Sequence, residues 1–343
     1  MNRLEISAGK HASAFGQLVT GPPGAGKTTY CNGMHQFLTA LKRPVHIINL
    51  DPAVPNPPYP CAINISEIVT LDEAMAEHGL GPNGAMLYCV EYLEKNFDWL
   101  VERLDEVLEK QGGGYVIFDT PGQVELWTNH DSLKRIVERL MKMEYRLAAV
   151  HLSDAHYITD GSKFISVVLL ALRAMMQLEM PHINVLSKID LLSTYGQLPF
   201  DLKYYTEARE LGYLLNSLEA GPRSKKMEKL NRAMVELVAE YSMVGFETLA
   251  VEDKQSMLQL LRQIDKATGY IFIPPSSTSG GGSTDLLDNA YALFSTGAGD
   301  VPGWDVNDVE ERWGERKAEW DEVEREEWKR EHERRAESGM EQD

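Results

Sequence analysis

Gly21-Pro22-Pro23-Gly24-Ala25-Gly26-Lys27-Thr28, followed by Thr29, has the spacing G-x-x-x-x-G-K-[ST]. The chemistry of a nucleoside triphosphate accounts for that spacing. Glycines let the backbone turn so that successive N–H groups point inward at phosphate oxygens. Lys27 then reaches the β and γ phosphates, and the Thr28 hydroxyl suits a Mg²⁺ ligand. A helix starting at the loop adds the partial positive charge of its N-terminus. Gly21, Gly24, Ala25, Gly26, Lys27, Thr28 and Thr29 are the expected cradle.

The flanks supply the context such a loop needs. Ala14-Phe15-Gly16-Gln17-Leu18-Val19 before it has strand length, and Tyr30, Met34, Phe37, Leu38 and Leu41 after it recur at helical spacing. Further buried strands are expected at 45–50, 115–119, 148–154 and 182–187, with a last one at 245–251. A short helix is expected at 71–78, a single helix over 85–110, and a strand or turn at 65–69. Strands alternating with helices predict an α/β fold, a predominantly parallel sheet with helices on both faces. The expected organisation is an N-terminal tail (1–13) and a P-loop NTPase domain (14–273) with a helical insertion at about 191–243. A Ser/Gly/Pro-rich linker (274–300) and an acidic C-terminal tail (301–343), helical or disordered, follow.

The net charge of −18 over 343 residues argues against a nucleic-acid surface, so no direct nucleic-acid partner is expected. Three scattered cysteines without a C-x-x-C pair suit a reducing compartment. The most apolar run, 164–176, is too short to span a bilayer and carries Arg173, and no signal-peptide core opens the chain. A cytoplasmic chain without a membrane partner is the expectation.

Three further stretches carry chemistry. Asp119-Thr120-Pro121-Gly122-Gln123 follows a buried strand, and ligands sit at the carboxyl ends of strands in open α/β sheets. Asp119 is therefore expected near Thr28 as a Mg²⁺ ligand, and Gly122 can offer its N–H to a γ-phosphate. Gln123 is the residue type that orients an attacking water. Ser187-Lys188-Ile189-Asp190 follows another strand, and the Asp190 carboxylate can accept two hydrogen bonds from guanine but not from adenine. The Lys188 stem can lie against the base, whereas Ser187 stands where Asn is usual and replaces only part of its bonding. Asp51, at the end of the second strand, suits the metal's water shell or a proton from the attacking water.

With Gly81-Pro82-Asn83 between the Asp51 and Asp119 loops, the chain resembles the GPN-loop GTPases, most strongly the second of their three eukaryotic paralogues. The resemblance covers about residues 14–273. It implies a G domain that hydrolyses GTP with Mg²⁺ and acts as a switch. It also implies a homodimer, or a heterodimer with a paralogue, in which Asn83 completes the partner's γ-phosphate site. The implied role is assembly and nuclear import of RNA polymerase II, with polymerase III as a second candidate. Polymerase subunits or assembly factors would be the partners, and the chain would be cytoplasmic with shuttling to the nucleus. Residue pattern alone makes 81–83 a tight turn. A P-loop kinase and a nucleotide-dependent scaffold with little hydrolysis are the alternatives.

In the acidic tail, Trp304, Val309, Trp313, Trp320, Val323 and Trp328 fall near helical spacing among charged residues. Such a stripe suits either a solvated, partly disordered helix or a docking helix on the domain or a partner. The tail is expected to lie outside the family resemblance.

Overall fold

Tyr115–Asp119 shows how the sheet is covered. Val116 and Phe118 point into one buried cluster, Tyr115 and Ile117 into another on the opposite face. Side chains alternate across a strand, so an apolar run without polar interruptions needs helices on both sides. The computed structural model describes residues 14–110, 114–196, 198–208, 211–214, 224–241, 244–270, 306–317, 319, 320, 322 and 325. The expected N-terminal tail and linker, and Trp304, Val323 and Trp328, lie outside the described residues.

Seven strands form one sheet: β1 Phe15–Thr20, β2 Val45–Asn49, β3 Cys61–Asn64, β4 Tyr115–Asp119, β5 Arg146–Asp154, β6 His182–Ser187 and β7 Phe246–Leu249. Their order is β3-β2-β4-β1-β5-β6-β7, and every pairing is parallel. β3 was not expected as such. It has four residues, of which only Ile63 is buried, and the prolines preceding it suggest a loop. At 65–69 the chain turns instead of extending, because Asn64 and Glu67 form a capping box around a 3-10 turn.

The helices are α1 Lys27–Ala40, α2 Leu71–His78, α3 Pro82–Lys95, α4 Phe97–Lys110, α5 Val124–Thr128, α6 Asp131–Lys142 and α7 Gly161–Leu178, then α8 Leu202–Glu207, α9 Ser224–Tyr241, α10 Lys254–Thr268 and α11 Val306–Glu310. One face of the sheet is covered by α1 and α10 through Tyr30, Met34, Leu38, Leu260 and Ile264. On the other, α3, α4 and α6 contribute Val90, Leu93, Leu100, Leu104 and Ile136. The single helix expected over 85–110 is two. Asn96 ends the first by donating its side-chain amide to the Tyr92 carbonyl (2.8 Å), a local bond that competes with helix continuation. α7 is the one described helix long and apolar enough to cross a membrane. Its Phe164, Val168, Ala171 and Leu172 pack in the core, and Arg173 donates to the Thr128 carbonyl (3.0 Å).

Arg43, after α1, ties that helix to α10. Its Nη1 reaches both Asp265 oxygens (3.0 and 2.9 Å) while the guanidinium stacks on Tyr270 (3.4 Å) and Tyr115 (4.1 Å). Burial pushes the Asp265 carboxyl up, and Arg43 opposes that shift. Arg43→Ala leaves a buried carboxylate unpaired and is expected to cost about 3–5 kcal/mol in urea unfolding. The Arg43→Met/Asp265→Leu double variant is expected to recover most of that loss, and recovery of none of it would contradict this reading of the pair.

Candidate functional site

The sheet order decides which loops meet. β1 lies between β4 and β5, with β2 beyond β4 and β6 beyond β5, so the loops after all five strands open on one edge. Gly21 is pressed against β5 there. Its φ is +139°, and a Cβ would sit 2.2 Å from the Leu152 carbonyl oxygen, so only glycine fits. Gly26, also left-handed, is the N-cap of α1 and carries no capping side chain, so the first N–H groups of the helix face the loop. Thr29, in the first turn of α1, is exposed.

Lys27 is buried and donates to the Gly21 (3.1 Å) and Pro22 (3.3 Å) carbonyls. Burial lowers its pKa, and Asp119 and Asp51 pull it back up. Gly122, from the loop after β4, approaches so closely that a Cβ would lie 2.9 Å from the Lys27 ammonium and 3.2 Å from Pro23 Cα. The Lys27 head and the Gly122 backbone thus border the same space.

Asp119 ends β4 and is 3% exposed. Its Oδ2 accepts from the Tyr59 hydroxyl (2.9 Å) and from Thr28 Oγ1 (3.3 Å), and its Oδ1 is buried without a hydrogen-bond partner. Burial pushes this carboxyl up to about 6, although Tyr59 and Lys27 favour the charged form. Asp51 is half-buried near Lys27, and its Oδ1 accepts from the Ala53 N–H (2.9 Å). Burial raises this carboxyl too. Among the described residues no group of three or more His, Cys, Asp or Glu could hold a metal. A hydroxyl, one or two carboxylates and an unused oxygen do suit Mg²⁺, which takes its remaining ligands from phosphates and water.

Gly81-Pro82-Asn83 is not a tight turn. Gly81 is the N-cap of α3 and Pro82 its first residue, where a fixed φ and a missing N–H cost nothing. Asn83 is exposed, and its Oδ1 accepts from Gln123 Nε2 of the same chain at 2.9 Å. Gln123 is the N-cap of α5, one residue beyond Gly122.

On the other side of β1, Ser187 is buried and donates to the Ala25 carbonyl (2.7 Å), while the Ser153 carbonyl lies within reach at 3.1 Å. Its hydroxyl fastens β6 to the phosphate loop and β5. Lys188, at φ 60°, extends over the loop; its ammonium donates to the Gly24 carbonyl (2.6 Å) and to Asp154 Oδ2 (2.8 Å). Asp190 is the second residue of a 3-10 turn, Ile189–Tyr195, and is half-buried. Tyr59 and Asp154 were missed as site residues. Tyr59 hides among prolines, but Asp154 is the last residue of an apolar strand, the same signal that marks Asp119.

Comparison with known proteins shows what this constellation belongs to. A protein-family model described as a conserved hypothetical ATP binding protein matches residues 19–270. GPN-loop GTPase QQT1 of Arabidopsis thaliana is 50% identical over 296 residues, 86% of this chain and 94% of that one. The chain belongs to the GPN-loop GTPases. GPN-loop GTPase 2 of Danio rerio is 52% identical over 258 residues, covering 75% of this chain and 82% of its own. The apo crystal structure of a GTPase from Pyrococcus abyssi superposes with a TM-score of 0.58 at 25% identity, covering 74% of this chain and 97% of that one. The family description says ATP, whereas these relatives are named GTPases. At half-identical sequence the relatives' names carry more weight, and this chain is a GTPase.

GPN-loop GTPase 2 of Saccharomyces cerevisiae is 44% identical over 316 residues, 91% of this chain and 88% of that one. A match of that length cannot fit within residues 1–273. The match therefore runs past residue 300, so the C-terminal tail does not lie wholly outside the family resemblance.

A carboxyl with a folded-state value near 6 and an unfolded value near 3.8 binds its proton more readily in the fold. Its burial therefore costs stability fully above pH 6, and the cost fades as pH falls toward 3.8. Asp119→Asn is expected to stabilise the nucleotide-free chain at pH 8 by up to about 3 kcal/mol, with about half that gain left at pH 5. Thermal unfolding at both pH values checks this. An equal gain at both would assign the effect to something other than the carboxyl's charge.

Proposed function

We propose that this GTPase is a Mg²⁺-dependent switch in which the phosphate cradle and Asp119 hold metal and triphosphate, Asp190 reads guanine, and Gln123 and Asn83 promote hydrolysis. The observation that carries the proposal is the buried, unpartnered Oδ1 of Asp119 beside the Thr28 hydroxyl and the Lys27 ammonium. An unused buried carboxylate oxygen is costly, and a divalent cation would satisfy it. Thr28 and Asp119 would hold the Mg²⁺, with Asp51 on its water shell. The ion would supply charge neutralisation at the β and γ oxygens. Lys27 would hold the γ-phosphate, and the Gly122 N–H would sense its presence. The Gln123 amide would orient the attacking water, with Asp51 placed to take its proton. Release of the γ-phosphate would free the Gly122–Gln123 loop, the element such a switch would use.

The same proposal places the chain in the cytoplasm, with shuttling to the nucleus, in the assembly and import of RNA polymerase II. Support for that part is the family resemblance alone. Depleting the chain is expected to leave RNA polymerase II subunits in the cytoplasm, and unchanged nuclear polymerase would overturn it.

Asn83 admits two readings. The family resemblance supports a paired arrangement in which Asn83 acts on the partner's phosphate. The bond between Asn83 and Gln123 of one chain supports a reading in which Asn83 positions its own Gln123. In either case Gln123→Leu and Asn83→Ala are expected to lower single-turnover hydrolysis at least about tenfold while GTP affinity stays nearly unchanged. Mixing the two variants separates the readings. If Asn83 serves the partner, mixed pairs contain one intact site and turnover returns; if it serves its own chain, both sites stay defective. Phosphate transfer to an acceptor other than water would instead favour a P-loop kinase, and undetectable hydrolysis a scaffold.

A further inference from the structure

Residues 306–317 of the C-terminal segment dock on the domain's own base side. Val309 is fully buried and Trp313 nearly so, in a cluster with Ile189, Leu192, Leu202 and Tyr205. Glu310 accepts from the Leu202 N–H at the start of α8 (2.8 Å). The two contacts that matter most fall on the loops after β6 and β7. Lys317 Nζ donates to the backbone carbonyl of Asp190 (2.8 Å). Arg312 pairs with Asp253 Oδ1 (3.2 Å), with only 10% and 7% of the two side chains exposed. Asp253 also caps α10 through the Ser256 N–H (2.7 Å), and Ser256 Oγ accepts from the Ala250 N–H (3.0 Å), so this bridge reaches the end of β7.

We infer that Val306–Lys317 is a strap that positions the base-recognition loop, with Lys317 a positioning residue for guanine selectivity. The inference rests on the reading of Asp190 as the guanine acceptor. The direction of the Asp190 carboxylate is set by the backbone of a 3-10 turn, whose internal hydrogen bonds have poorer geometry than those of an α-helix. That turn enters through Lys188 in a left-handed conformation. An ammonium bound to the carbonyl of Asp190 itself, with Trp313 and Leu192 packed in one cluster behind it, restricts the turn from outside. Selectivity by hydrogen bonding needs the acceptor held in place before the base arrives. A turn that is in register only part of the time binds guanine more weakly by that fraction.

The experiment measures GDP, IDP and ADP affinities of the full chain, of Lys317→Ala and Lys317→Arg, and of a chain ending at residue 300. IDP lacks the exocyclic amine that Asp190 would read, and ADP relies on the phosphate cradle. Lys317→Ala is expected to weaken GDP about three- to tenfold and to narrow the GDP/IDP ratio, leaving ADP unchanged. Lys317→Arg is expected to restore the ratio, and loss of the strap to exceed Lys317→Ala. Should the shortened chain not fold, the Lys317 variants still decide. A lower unfolding temperature with an unchanged GDP/IDP ratio would make the strap merely structural and overturn the inference. Asp190→Ala separates the two levels. If it abolishes GDP/IDP discrimination while Lys317→Ala does not, only the strap's role falls. If Asp190→Ala leaves discrimination intact, the guanine reading falls and the strap's positioning role with it.

Discussion

Parallel pairing of β1 with β4 on one side and β5 on the other is the constraint from which the site follows. Residues 15–19 pair in register with 115–119, and residues 15–20 with 146–151. Parallel strands end at a common level, so the phosphate loop, Asp119 and Asp154 are delivered to one edge without any long side chain reaching for the others. The close approach of Gly21 to Leu152 measures how tight that arrangement is. A switch of one residue in the register would carry Asp119 away from Thr28 and turn its side chain to the other face.

The site holds its charges at a cost in stability. Asp119, Lys27 and Asp51 are each shifted against their charged forms by burial, and the attraction between them offsets only part of it. Tyr59 moderates that cost by donating to Asp119 and so keeping Oδ2 satisfied, which leaves Oδ1 as the open valence. On the β6 side of the loop the charges are arranged differently. Lys188 spans Gly24 and Asp154, so its position depends on the phosphate loop and β5 together.

Much of the fold was legible because buried parallel strands read as near-continuous apolar runs, as Tyr115–Asp119 does, even where Gln17, His46, His151 and Asn184 interrupt the others. Asp119, Asp190 and Asp51 could be placed at this edge from their positions at or just past strand ends. Cys61–Asn64 could not, since four half-buried residues behind prolines leave no period to detect. The break at Asn96 was missed because the apolar spacing continues through it while a side chain caps the helix. Gly81-Pro82-Asn83 reads as a turn because glycine and proline also open helices, and only the residues after them decide which. Ser187 looked like a weakened base reader, yet its hydroxyl holds the strand end to the phosphate loop. The docking of the C-terminal segment was one of two readings of its tryptophan stripe. In the described part Val309 and Trp313 are buried while Trp320 is exposed. The partners of Lys317 and Arg312, Asp190 and Asp253, lie far away in the chain, where no local spacing points to them.

The approach of Gly21 to Leu152 also has a consequence for the order in which the molecule is made. The phosphate loop leaves the ribosome before the strands that fix it, β4 and β5, which lie roughly a hundred residues further along the chain. Until β4 and β5 emerge, β1 is an apolar strand with both edges unpaired, and such strands are where nascent chains aggregate. Contacts this distant in sequence also make for slow closure. The cradle forms only with β5, and Lys317, which reaches Asp190, follows it by 127 residues. The phosphate cradle can therefore close before the loop that carries Asp190 receives this last contact.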